Sequence, residues 1–218
     1  MEFFNQGVES SKKGDLDSAI ADFTNAIKLD SEFYPAYTAR GLAYMKKRQL
    51  DSAIDDFSTV IALKPDSVGN YINRSSAYRL QNKFDKAFAD LDRAAELDAK
   101  FPYIYSSRGN IYRQTKDFQA ALENFTKAIE IKPYSAFYTS RCMTLYDLEK
   151  YESAISDCSE AINKNSKDST AYYFRAMSRI KLEQNALAIG DLQKAVEINP
   201  KNVSAKQKLD ELLKTNRY

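Results

Sequence analysis

The 218 residues include no histidine and no tryptophan, and only two cysteines, five prolines and six glycines. Without imidazole the chain lacks the commonest general base and the commonest neutral metal ligand, so histidine triads and histidine-ligated zinc sites are excluded. Cys142 and Cys158 stand sixteen residues apart, which builds neither a disulfide framework nor a CxxC redox or metal motif. Reduced, buried thiols are the expectation. Charge of one sign is also missing: 32 lysines and arginines face 30 aspartates and glutamates, a net of +2, so no global field favours nucleic acid or anionic membrane. No run approaches the roughly 18 apolar residues of a membrane span. The opening MEFFNQGVESSKKGD lacks the basic-then-apolar pattern of a secretory leader. A cytoplasmic protein without membrane insertion is expected, unless an upstream signal has been removed. There is no GxGxxG or GxxxxGK[ST] phosphate loop and no serine elbow. The adjacent carboxylates of Asp55 and Asp56 would not face each other on a helix. No enzyme activity and no cofactor are expected.

What the chain does have is self-similarity. One phrase recurs as SAIADFTNAIKLDS, SAIDDFSTVIALKP, KAFADLDRAAELDA, AALENFTKAIEIKP, SAISDCSEAINKNS and LAIGDLQKAVEINP. Its marker alanines, Ala19, Ala53, Ala87, Ala121, Ala154 and Ala188, are spaced 34, 34, 34, 33 and 34 residues apart. An earlier phrase in each unit, seen as AYTARGLAY, NYINRSSAY, IYSSRGNIY, FYTSRCMTL and AYYFRAMSR, places bulky and small residues at i, i+4, i+7. Both phrases carry the period of a helix with one packed face, so each unit is two helices. Pro65, Pro133 and Pro200 fall where the second helix should stop, because proline lacks the N–H and has a fixed φ. From Val203 to Tyr218, Ala205, Leu209 and Leu212 share one side, as in a solvating cap helix.

A 34-residue helix-turn-helix with these aromatic, glycine, tyrosine, alanine, phenylalanine and proline markers resembles a tetratricopeptide (TPR) repeat. The second copy carries Tyr37, Gly41, Tyr44, Ala53, Phe57 and Pro65. The fourth carries Tyr105, Gly109, Tyr112, Ala121, Phe125, Ala128 and Pro133. Cys142, Leu145, Cys158, Arg179 and Leu192 depart from the pattern in the fifth and sixth. The resemblance implies an all-α, right-handed superhelical solenoid. It forms one domain over 1–218, with repeats at about 1–33, 34–67, 68–101, 102–134, 135–168 and 169–202 and a cap helix over 203–218.

The small residues Gly7, Gly41, Ser75, Gly109, Cys142 and Ala176 read as close-approach positions between paired helices. Arg40, Arg74, Arg108, Arg141 and Arg175 recur in phase with Asp22, Asp56, Asp90, Asp157 and Asp191. A ladder of structural ion pairs is therefore expected rather than a phosphate or RNA site, given arginine's bidentate fit to carboxylates. Cys142 occupies the small-residue slot and Cys158 the phenylalanine slot of one repeat, so they are expected to pack together as small hydrophobes, with a redox bridge as the alternative.

At 100° per residue, the packing stripe of the first helix leaves a second face about 130° away. In TPR proteins the matching face lines a concave groove that holds peptides. Here it comprises Leu42, Met45 and Lys46; Ile72, Arg79 and Leu80; Tyr103, Asn110 and Arg113; Met143, Tyr146 and Asp147; and Tyr173, Met177 and Lys181. Methionine, tyrosine and arginine are the residues that protein-binding surfaces favour. The expected function is a non-catalytic adaptor or scaffold. Its partner is another protein, presenting an extended or helical segment with apolar anchors and some acidic residues. Packing between repeats is the competing use for several of these side chains. Only Asn73 fits the lysine, asparagine and arginine clamp that some TPR proteins use on chaperone tails. Thr38, Leu42, Tyr103 and Ser107 stand at its other positions, so no carboxylate-clamp binding is expected. Nucleic-acid binding is not expected either. The alternative reading is self-association through an uncapped first repeat exposing Phe3 and Phe4, or service as one module of a longer protein.

Overall fold

A computed structural model describes residues 1–215; the last three residues of the expected cap helix lie outside this range. Among the described residues thirteen α-helices occur and no strand. The chain divides into two compact units, Met1–Ser107 and Arg108 onward. The first holds α1 (Glu2–Lys13), α2 (Leu16–Leu29), α3 (Tyr34–Lys46), α4 (Leu50–Leu63), α5 (Val68–Leu80) and α6 (Phe84–Leu97). The boundary falls inside α7 (Pro102–Gln114). The second holds α8 (Phe118–Ile131), α9 (Ser135–Asp147), α10 (Tyr151–Lys164), α11 (Ser169–Lys181), α12 (Asn185–Ile198) and α13 (Val203–Thr215).

Helices start and stop for local reasons. Asp15, Asp117 and Asp168 accept first-turn N–H groups from Ser18, Ala120 and Thr170 with Ala171, which caps α2, α8 and α11. Pro65, Pro133 and Pro200 stand two residues beyond the ends of α4, α8 and α12, where a residue without an N–H cannot continue the helix. The turn between first and second helices has one form in all six repeats. Gly14, Arg48, Asn82, Lys116, Glu149 and Glu183 take positive φ, from 59° to 85°. The next N–H then reaches back to close the helix: Gln49 to the Tyr44 carbonyl at 2.9 Å, Lys150 to that of Leu145 at 2.9 Å. This is the Schellman closure, which glycine adopts most readily; five of the six positions are not glycine.

The six marker alanines are fully buried. Close approach explains the glycines. A Cβ on Gly7 would lie 2.6 Å from the Phe23 ring, on Gly41 2.6 Å from Phe57, and on Gly109 2.8 Å from Phe125. In repeat five the same two slots hold Cys142 and Cys158, with Cα atoms 5.4 Å apart and joined by a disulfide. That distance lies within the reach of a bridge. The expectation of reduced, merely packed thiols is therefore corrected: the slot that brings a ring onto a glycine also brings two Cβ atoms face to face. The bridge sits in a core with Leu145, Ala154, Ala161 and Ala171. In repeat six Ala176, Ala188, Leu192 and Ala195 are covered by Ala205 and Leu212 of α13, the two buried residues of the expected cap stripe.

Candidate protein-docking face

The arginine ladder is structural in the four repeats where its partners are described. Arg40, Arg74, Arg141 and Arg175 each make a two-pronged contact with the aspartate sixteen residues on, at 2.6–2.9 Å. The third nitrogen donates to a hydroxyl of the preceding repeat, Thr24, Ser58, Thr126 or Ser159, at 3.0–3.1 Å. The hydrogen bond to the carboxylate raises the pKa of Arg40, Arg74 and Arg141 and so holds them charged. Repeat four departs in sequence, with Asn124 where the others have aspartate.

Within each unit helices pack mainly on their chain neighbours, but first helices also touch one another: α1 with α3, α3 with α5, and α9 with α11. The candidate face lies along these contacts. In the first unit an open cleft of about 360 Å³ lies between α1 and α3, lined by Val8, Ser11, Phe23, Ala39, Leu42 and Met45, with Lys12 and Lys46 at the same opening. Leu42 is 43% exposed. Lys12 is held by Glu9 at 2.7 Å, while Lys46 is exposed. Tyr103, on α7, is also 43% exposed. Ile72 is only 9% exposed and belongs to the packing between helices. Arg79 and Leu80 are half-buried, and burial, with Arg48 adding like-charge repulsion, lowers the pKa of Arg79.

In the second unit Asn110 is exposed, while Arg113, Met143, Tyr146, Tyr173 and Met177 are half-buried. Arg113 donates to Asp147 at 2.9 Å, a pair between candidates of successive repeats that sequence phase did not flag. Tyr146 and Tyr173 are brought together through Phe174, at ring distances of 5.6 and 5.3 Å, and Tyr151 closes on Tyr146 at 5.7 Å. Burial pushes the Tyr146 phenol up, and Tyr151 and Tyr173 add to it. The face that sequence placed on one stripe is thus an open apolar cleft in the first unit and an aromatic cluster with an ion pair in the second. Val8 and Phe174 were missed. Val8 stands one repeat before Leu42, so phase alone could have found it. Among the described residues no group of three or more acidic or cysteine side chains is placed to hold a metal.

Tetratricopeptide-repeat families match residues 4–68, 68–101, 102–135 and 169–202. Together they take in most of the chain and leave out most of repeat five, where the cysteines replace glycine and phenylalanine. The chain belongs to the tetratricopeptide-repeat family. No curated protein matches the sequence. A chain of the APC/C hetero-tetramer Cut9–Hcn1 has a similar fold (TM-score 0.84, 19% identity, 97% of this chain, 42% of that one). So does a tetratricopeptide repeat protein from Parabacteroides merdae (0.80, 17%, 97% and 83%). The first TPR of Spaghetti (RPAP3), bound to the HSP90 peptide SRMEEVD, is 25% identical (0.53, 56% and 97%). The chain thus spans less than half of the chain it matches in the APC/C hetero-tetramer. These likenesses establish the all-α solenoid class of TPR proteins. No described helix is long and apolar enough to cross a membrane.

Proposed function

We propose that the chain is a non-catalytic adaptor or scaffold that takes a segment of a partner protein along the face of its first helices. The observation that carries this reading is the cleft between α1 and α3, with Leu42 exposed beside Met45 and two lysines at its mouth. Apolar side chains left open at such a place cost solvation unless a partner covers them. A segment with an apolar anchor and nearby carboxylates is the chemistry that fits, and preformed helices lose little entropy on docking it. The Spaghetti repeat, which holds an acidic HSP90 peptide, supports peptide capture as the mode. The clamp residues for such a tail are largely missing here, so a different ligand is expected.

The test is affinity capture with the wild type beside Leu42→Ala/Met45→Ala and Tyr103→Ala/Met143→Ala, all shown to fold by circular dichroism. A partner held by the wild type and lost by either variant supports the face; equal recovery by all three rejects it. A second reading, self-association, draws on the exposure of Phe3 (37%) and Leu29 (72%) in the first repeat. Phe4 does not contribute as expected, because its ring packs on Phe23 and Phe33 at 5.7 and 5.2 Å. Mass that rises with concentration and falls in Phe3→Glu would favour it. The cytoplasmic setting is tested by the bridge: two free thiols in freshly lysed cells place the protein in a reducing compartment, none in an oxidising one.

A further inference from the structure

Repeat five differs from its neighbours beside the cysteines as well. In repeats two and three the ladder arginine is flanked by two tyrosine rings. Arg40 lies 5.5 Å from the Tyr37 centroid and 5.9 Å from that of Tyr44; Arg74 lies 5.9 Å from both Tyr71 and Tyr78. In repeat six the second tyrosine is replaced by Arg179, which fills the slot by donating to Asp191 at 2.6 Å. In repeat five the first ring is present, Tyr138 at 5.7 Å from Arg141, but the second is replaced by Leu145. A solvent-open cleft of about 370 Å³ lies there, lined by Leu122 and Thr126 of α8, Arg141 and Leu145 of α9, and Ser153, Ser156 and Asp157 of α10.

We propose that this cleft is a binding site for a phenol ring, which takes the place that Tyr44 and Tyr78 occupy in the other repeats. Each nitrogen of the Arg141 guanidinium is already engaged: Nε and Nη2 donate to Asp157 at 2.6 and 2.9 Å, and Nη1 to Thr126 at 3.1 Å. An anion would meet the Asp157 carboxylate. What the guanidinium still offers is its flat face, which attracts an aromatic ring. Leu122 and Leu145 supply apolar walls. Ser153 and Ser156 are exposed at the rim, where a phenol hydroxyl needs a polar partner. The residue in the place of Ser153 in repeat three, Lys86, stands 5.7 Å from the Tyr78 ring, so a ring in this slot reaches that rim. The volume suffices, since a cavity of about 150 Å³ already admits benzene. The site lies between α8, α9 and α10, and although α9 also carries Met143 and Tyr146 of the candidate face, none of the residues lining the cleft belongs to that face.

The ring could belong to a partner's tyrosine or to a free phenol, and two probes separate them. In titrations followed by 1H–15N NMR, p-cresol and N-acetyl-tyrosinamide are added to the wild type and to Leu145→Tyr. Saturable shifts confined to the surroundings of Leu122, Arg141, Leu145, Ser153 and Ser156, at least tenfold weaker in Leu145→Tyr, are expected. Saturation by both probes assigns the site to a tyrosine side chain; saturation by p-cresol alone assigns it to a small phenol. No saturable shift from either probe overturns the proposal, as does equal affinity in Leu145→Tyr. Leu145→Tyr should also melt no lower than the wild type, because its ring enters a slot the fold already provides. Failure of that variant to fold would mean that the slot is not a vacant tyrosine position, and would overturn the proposal too.

Discussion

Repeats two and five use the same pair of positions to hold their helices together, and they do it with opposite chemistry. In repeat two Gly41 offers no side chain, and the Phe57 ring fills the gap so tightly that a Cβ would stand 2.6 Å from it. The join is pure shape: dispersion and burial between a flat backbone and a ring. In repeat five two medium-sized residues share the same space, and a covalent bond replaces the interlock. Glycine with phenylalanine and cysteine with cysteine fill the seam to a similar extent, which is why the helix pair keeps its form. The seam therefore constrains the combined volume and the approach, not the residue types, and a sequence pattern built on types loses repeat five where the geometry does not.

The largest effect should come from breaking the shape-held seam. Gly41→Leu places a branched side chain where even a methyl collides with Phe57, so it should cost at least the upper part of the roughly 1–3 kcal/mol of ordinary overpacking. Urea unfolding of the first unit's helices reads this, and a midpoint equal to wild type would refute the interlock. Next comes the bond. Opening a loop of this length should cost about 3 kcal/mol, so Cys142→Ala or a reductant should lower the denaturation midpoint, and reductant should add nothing to Cys142→Ala. If reductant leaves wild type unchanged, the bridge does not hold repeat five. The ladder sharpens the contrast further. Asp90 is buried and depends on Arg74 in its own repeat, whereas Asp191 is held by both Arg175 and Arg179. Arg74→Met should therefore destabilise by up to about 3 kcal/mol, toward the low end for a broken buried pair because the arginine is partly solvated. Arg175→Met should cost visibly less, and equal costs would count against sharing at Asp191.

Periodicity made the helices, their stops at Pro65, Pro133 and Pro200, and the alanine core legible, because burial recurs wherever the helical phase does. The ladder was legible for the same reason, since Arg40 and Asp56 repeat together. The bond between Cys142 and Cys158 was half legible. Their slots match those of Gly41 and Phe57, which touch, but nothing in a spacing distinguishes contact from covalency. The candidate face was legible as a stripe and not as a surface. Ile72 sits on the stripe yet is buried, and Arg113 spends its charge on Asp147, because such outcomes depend on the neighbouring repeat. The turns were not legible, since the left-handed position carries glycine only at Gly14.

Those turns give the smallest effect and return to the same comparison. Arg48 in repeat two and Glu149 in repeat five occupy one backbone state, with φ of 63° and 59°. A side chain in that region costs of order 1–3 kcal/mol when the surroundings impose it, and glycine removes the clash while adding about 0.5–1 kcal/mol of unfolded-state entropy. The difference should leave Glu149→Gly and Arg48→Gly each slightly stabilising, by roughly 0.5–1 kcal/mol. The gain should be alike in the two repeats, since the Schellman closure is identical: Gln49 to Tyr44 and Lys150 to Leu145, both at 2.9 Å. Thermal melts of the two variants decide it. Similar small gains would show that repeat five departs from its neighbours only at its seam and its missing tyrosine, whereas a loss confined to Glu149→Gly would show that the bridge has altered the turn as well.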